Sequence, residues 1–278
     1  MSTMAIIECA CVAIIGLWFA FRLAWEPDRP ALLGRLALLA CASWLAENTV
    51  IHAYGFYGYS AGWSVFVDRV PLMILLIWPV VIHSAWDLAR HLGPALSGPR
   101  TALVAAALVL ADASLIEPIA VHSGLWSWTE PGLFAVPPIG ILGWAIFAGF
   151  AVALFERARR QAPGQRRFGP LTALAVFTLP AALTHLVLLA VWWGALRWLN
   201  HTVPPWPAVA LAWTLSLTLA AWAWARDAHR RVPTRDLALR IPAAAFFFVL
   251  LALHGQDAPP LIAWSIAFAP PYLVLTRP

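Results

Sequence analysis

The sequence predicts an all-α, polytopic integral membrane bundle of about nine transmembrane helices, folded as a single transmembrane domain over residues 1–278. Three observations predict it. Hydrophobic residues make up 62% of the chain and charged residues 11%, too few charges to cover a water-soluble domain. Nine apolar stretches approach the roughly 20 residues that cross a bilayer. They lie near 4–24, 31–54, 70–89, 101–121, 135–156, 170–197, 205–225, 239–254 and 259–275, joined by short connections. The third observation is where the positive charge falls.

All 18 basic residues are arginines. Arg22, Arg29, Arg35, Arg90, Arg100, Arg157, Arg159, Arg160, Arg166, Arg167, Arg226, Arg230, Arg231, Arg235 and Arg240 fall in the odd-numbered connections, and Arg277 follows the ninth stretch on the same side. Only Arg69 and Arg197 fall opposite, sixteen against two. Cytoplasmic loops collect such an excess, so the N-terminus is expected outside and the C-terminus in the cytoplasm of a bacterial inner (plasma) membrane. No basic stripe alternates with aromatics, so a nucleic-acid partner is not expected. The first stretch lacks a basic leader and reads as a retained helix rather than a cleaved signal. Cys9, Cys11 and Cys41 sit inside apolar stretches, in a pattern that argues against a disulfide framework or a zinc site.

Metals, nucleotides and redox cofactors have no visible home in the sequence. The eight histidines, His52, His83, His91, His122, His185, His201, His229 and His254, are never closer than eight residues, unlike the clusters that hold paired irons. Asp112 has no carboxylate one helical turn away to hold magnesium for a diphosphate. Neither a Gly-rich phosphate loop nor a dinucleotide fingerprint is present. No repeat of obvious period appears. Pro79, Pro118, Pro180 and Pro242 lie inside apolar stretches, where prolines kink helices for packing.

Ionisable groups at membrane depth are costly, and each is a functional hypothesis. Glu47, Asp112, Glu117 and His185 stand out; Glu26, Asp28, Glu156, Asp227, Asp236 and Asp257 fall in or beside connections. At 1.5 Å per residue, Glu47 and Glu117 each sit about 24 Å from the cytoplasmic end and Asp112 about 16 Å. Asp112 and Glu117, five residues apart, point about 140° from each other on an ideal helix. A carboxyl in an apolar pocket loses hydration, which favours its protonated form. Such an acid can protonate an isoprenoid double bond, and aromatic faces can steady the tertiary cation that results. The alternative is that these acids only bond neighbouring helices, through Asn48, Ser114 or His185.

The segment Gly124–Trp144, the most distinctive in the chain, has too many breakers for a plain helix and reads as an outer lid packed with aromatics. Trp126 and Trp128 also suit an interfacial belt. The run Asp112, Glu117-Pro118, Gly124-Leu125-Trp126-x-Trp128, Gly132, Val136-Pro137 and Gly143-Trp144 resembles the carotenoid hydratase family. These membrane enzymes hydrate the ends of bacterioruberin precursors and γ-carotene. Glu47 with Tyr54-Gly55-Phe56-Tyr57-Gly58-Tyr59 resembles that family's earlier acidic helix and its Gly/Tyr-rich sequel, so the likeness spans about residues 44–145. It departs at Glu117, where the family pattern has aspartate, and at Gly140, where it has asparagine.

The resemblance implies cofactor-free addition of water to a terminal isoprenoid double bond, with an apolar isoprenoid or carotenoid substrate and membrane lipid as partners. Glu117 and Asp112 are the candidate proton donor and its partner, and Glu47 a second acid–base group. Tyr57, Trp126, Trp128 and Trp144 are expected to shape the substrate slot. A membrane cyclase or isomerase, resembling lycopene cyclases, shares the first step without capturing water. A lipid or pigment carrier is the non-enzymatic alternative.

Overall fold

The computed structural model describes residues 3–161, 168–225, 232 and 234–275. Arg166, Arg167, Arg226, Asp227, His229, Arg230, Arg231 and Arg277 lie outside the described residues. The helices follow in order: α1 Thr3–Trp25, α2 Arg29–Tyr54, α3 Leu72–Leu92, α4 Gly98–His122, α5 Pro138–Gln161 and α6 Pro170–Val191, which runs through a π turn, Trp192–Leu196, into α7 Arg197–Leu199. Then come α8 Pro205–Ala225, α9 Thr234–His254, α10 Pro259–Ile266 and α11 Ala269–Leu275. Short strands β1 Tyr57–Tyr59, β2 Phe66–Val67 and β3 Val70–Pro71 join α2 to α3, and β4 Trp126–Trp128 follows α4.

Among the described residues seven helices are long and apolar enough to cross a membrane, counting Pro170–Leu199 as one. The eighth and ninth stretches correspond, among the described residues, to the shorter apolar runs Arg240–His254 within α9 and Pro259–Val274. The latter is broken between α10 and α11, where Pro270 and Pro271 withhold two backbone N–H groups. The outer helix faces suit lipid: Leu171 is 83% exposed and Leu103 71%.

Each start and stop has a local cause. The Asp28 side chain accepts from the Ala31 amide at 3.1 Å and opens α2, with Pro30 in the first turn. Gly55 closes α2 at a φ of 61°, a left-handed turn that costs glycine nothing. Inside α4, Pro118 lacks the N–H that would bond the Ser114 carbonyl, and the Trp264 indole takes that place at 2.7 Å.

Five helices close into a ring: α2 packs on α3, α3 on α4, α4 on α5, α5 on α6, and α6 back on α2. Outside this ring, α1 lies against α3, α9 lies against α1, α3 and α4, and α8 packs on α10 and α11. One end of the ring is roofed by a ribbon in which β1 pairs antiparallel with β4, Tyr57 opposite Trp128, Gly58 opposite Ser127 and Tyr59 opposite Trp126. Bonds from the Ser60 amide to Leu125 (3.0 Å) and from the Thr129 amide to Phe56 (2.8 Å) extend it. The segment read from sequence as an aromatic lid is half of this ribbon.

Candidate active site

Side chains two apart on a strand share a face, so the ribbon sends Tyr57 and Tyr59 from one strand and Trp126 and Trp128 from the other towards the ring. They meet two buried carboxyls. Glu47, on α2, accepts from the Tyr57 hydroxyl, from the Tyr59 hydroxyl at 2.8 Å and from the Trp78 indole at 2.9 Å. Glu117, on α4, accepts from the indoles of Trp126 at 2.9 Å and Trp128 at 3.1 Å on Oε2, and of Trp144 at 2.7 Å on Oε1. Only 8% of Glu47 and 2% of Glu117 is exposed.

Each donor to Glu47 touches a donor to Glu117. The Tyr57 ring lies 4.7 Å from Trp128, Tyr59 lies 5.9 Å from Trp126, and Trp78 stacks on Trp144 at 4.4 Å. Burial, with the Glu47 carboxyl beside them, pushes both tyrosine hydroxyls well above their ordinary value. Both tyrosines therefore stay neutral, able to donate one hydrogen bond while accepting another.

The carboxyls face one apolar cavity of about 90 Å³, lined also by Ala46, Val50, Ile74, Ile139, Gly140, Phe147 and Leu188. His185 lines it from α6 and bonds the Thr49 hydroxyl at 2.8 Å. Thr184 adds a buried hydroxyl. Gly140 is needed for space, because a Cβ there would stand 2.6 Å from Trp128 Cζ2. Gly140 is thus the floor beneath the Trp128 ring.

The sequence did contain a repeat, concealed by gaps. Glu47, His52, Gly55, Tyr57 and Tyr59 precede Val70-Pro71 and Trp78; Glu117, His122, Gly124, Trp126 and Trp128 precede Val136-Pro137 and Trp144. Both glycines have left-handed backbones, φ 61° and 71°. Val67 bridges Val70 just as Leu133 bridges Val136. The symmetric register of the ribbon relates the two units by a local two-fold between Gly58 and Ser127.

Of the residues singled out from sequence, Glu47, Glu117, Tyr57, Trp126, Trp128 and Trp144 come together here. Asp112 does not. Its carboxylate is bound by the Arg240 guanidinium and, at 3.3 Å, by the Tyr272 hydroxyl, while Arg240 also reaches Ser84 at 3.1 Å. The 140° turn between Asp112 and Glu117 aims Asp112 at α9 and α11 instead of the cavity, so its pairing with Glu117 is corrected. Arg240, counted from sequence with the loops, is an intramembrane partner of Asp112. Glu156 is likewise no loop acid: it is 1% exposed on α5 and accepts from the Trp86 indole at 2.8 Å and from Arg159 at 3.1 Å. Tyr59 and Trp78 were missed as site residues; the alternation Tyr-x-Tyr carried the signal for the first.

A sequence model described as "Carotenoid biosynthesis protein" matches residues 3–206, which include every residue of the two-carboxyl site. The chain belongs to the carotenoid biosynthesis protein family. This is wider than the likeness over residues 44–145, and it takes in all five helices of the ring. Neither the curated proteins nor the solved structures yield a match. As a carotenoid biosynthesis protein, the chain has a role in making lipid-soluble polyenes, and its apolar helices make it a multi-pass membrane protein. α8 to α11 lie almost wholly beyond the matched region.

Proposed function

We propose that this protein adds water to a terminal carbon–carbon double bond of a carotenoid or related isoprenoid by acid-initiated chemistry. The observation that carries the reading is the pair of buried carboxyls, Glu47 and Glu117, facing one apolar, aromatic-walled cavity. An unactivated alkene needs a poorly hydrated acid that holds its proton until the substrate is in place, and the cation it forms needs nearby negative charge and π faces. The two carboxyls and the rings of Trp78, Trp126, Trp128 and Trp144 supply these. Asp112 serves the bundle rather than the reaction. The ribbon end lies outside the cell, with the N-terminus there and the C-terminus in the cytoplasm, a reading that the arginine distribution supports.

Pigment analysis of a carotenoid-producing host with and without the chain tests this. A product heavier by one water is expected. A shifted product of equal mass means a cyclase or isomerase, and co-purified polyene that stays unchanged means a carrier; either outcome removes hydration.

A further inference from the structure

The two units of the local two-fold differ where it matters for protons. Trp78 and Trp144 are equivalent, but Tyr57 and Tyr59 in one unit stand where the other has Trp126 and Trp128. An indole N–H only donates, whereas a tyrosine hydroxyl donates and accepts. All three bonds to Glu117 therefore require its oxygens as acceptors, and Oε2 already takes two. Around Glu47 the hydroxyls of Tyr57 and Tyr59 converge on one oxygen, and either can turn from donor to acceptor. A proton can then move onto or off Glu47 while its partners stay in place.

We propose that Glu47, Tyr57 and Tyr59 form the proton-exchanging unit, and that Glu117 in its cage of three indoles is the fixed counter-carboxylate. The assignment rests on the acid-initiated reading above. The Glu47 proton forms the new C–H bond as the alkene π bond breaks, leaving a carboxylate and a tertiary cation, which Glu117 faces. Water bonds to that carbon through oxygen, and its released proton returns to Glu47 by way of Tyr57. One water is consumed and Glu47 is restored, with no oxidant or reductant.

Infrared spectra of the purified full-length protein, without substrate, in H₂O and D₂O, test the division. Glu47→Gln should remove a protonated-carboxyl C=O band that shifts in D₂O; Glu117→Gln should remove ionised-carboxylate bands instead. Because Glu117→Gln leaves an indole without an acceptor and can unfold the protein, a second pair decides independently. Tyr57→Phe should shift the protonated band and leave the carboxylate bands, and Trp144→Phe should do the reverse. Opposite assignments, or the same class of band lost in both glutamine variants, would overturn the proposal. The expected spectra with no hydrated product in the host would sink hydration alone; reversed spectra with a hydrated product would sink the division alone.

Discussion

Tyr57 lies directly across the ribbon from Trp128, its ring 4.7 Å away, and the two side chains serve different carboxyls. The hydroxyl reaches Glu47 and the indole reaches Glu117. A two-stranded ribbon of this length is not stable alone. Here it is held because its inward face is satisfied by two buried acids, and the acids are tolerated because the ribbon supplies donors to both. Roof and site are one cooperative unit, so changes in one should be felt in the other.

Glu47→Gln is expected to lower turnover by about 10²–10⁴-fold, the usual cost of removing an acid–base group. Tyr57→Phe keeps the ring against Trp128 and removes one hydrogen bond to the carboxylate that Glu47 becomes as it gives up its proton, worth about 1.5–3 kcal/mol, so a loss of roughly tenfold or more follows. Rates of product formation in membranes, normalised to folded protein, check both. Near-normal turnover in Glu47→Gln would remove the mechanism.

Gly140→Ala tests the floor of the cavity. The added Cβ would meet Trp128 Cζ2 at 2.6 Å, closer than packed carbons allow, so the ring must move and its bond to Glu117 must lengthen. We expect a stability loss of about 1–3 kcal/mol from overpacking, together with a clear fall in turnover. Thermal unfolding in detergent and tryptophan emission follow the two effects. The first unit has Ile74 at the equivalent place, and there the roofing aromatic is the smaller Tyr59. Unchanged stability and emission in Gly140→Ala would mean that Trp128 has another resting place.

Length and hydropathy made the helices legible, since a stretch of about 20 apolar residues has few alternatives to a span. That Glu47 and Glu117 share a level was legible for the same reason, and both line one cavity. The ninth stretch is broken into α10 and α11 where Pro270 and Pro271 withhold backbone N–H groups, a break that an apolar count does not register. Tyr-x-Tyr and Trp-x-Trp carry a period of two, but three residues inside Gly-rich connections give too little pattern to announce a strand. The repeat was hidden because its units differ by one residue between His and Gly and by more between Gly and Val-Pro. Asp112 was misjudged because depth alone does not say which way a side chain faces. Arg240, its partner, lies 128 residues away, and no local signal joins them.

The side of the membrane is open to direct labelling. Ser127 sits exposed at the centre of the ribbon. A cysteine there, with Cys9, Cys11 and Cys41 replaced, should react with an impermeant maleimide added outside intact cells. A cysteine at Arg157 should react only after the membrane is opened. Labelling of Ser127→Cys from the cytoplasmic side would refute the arginine-based orientation.

The intramembrane ion pair separates structure from chemistry. Asp112 and Arg240 are 18% and 15% exposed, and the guanidinium has Ser84 and Tyr272 as its other partners. Asp112→Asn leaves that guanidinium charged without its counter-ion, and breaking a buried pair from one side costs about 3 kcal/mol. The variant should unfold at lower temperature and loosen the docking of α9, while protein that remains folded keeps most of its turnover. Adding Arg240→Gln removes the orphaned charge, so the double variant should regain most of the lost stability; the double-mutant cycle then gives a large coupling. A proton-transfer role would behave differently. Asp112→Asn would then stop turnover in protein of normal stability, and Arg240→Gln would rescue nothing. Thermal unfolding of the four proteins, set beside their turnover per folded molecule, distinguishes the two outcomes.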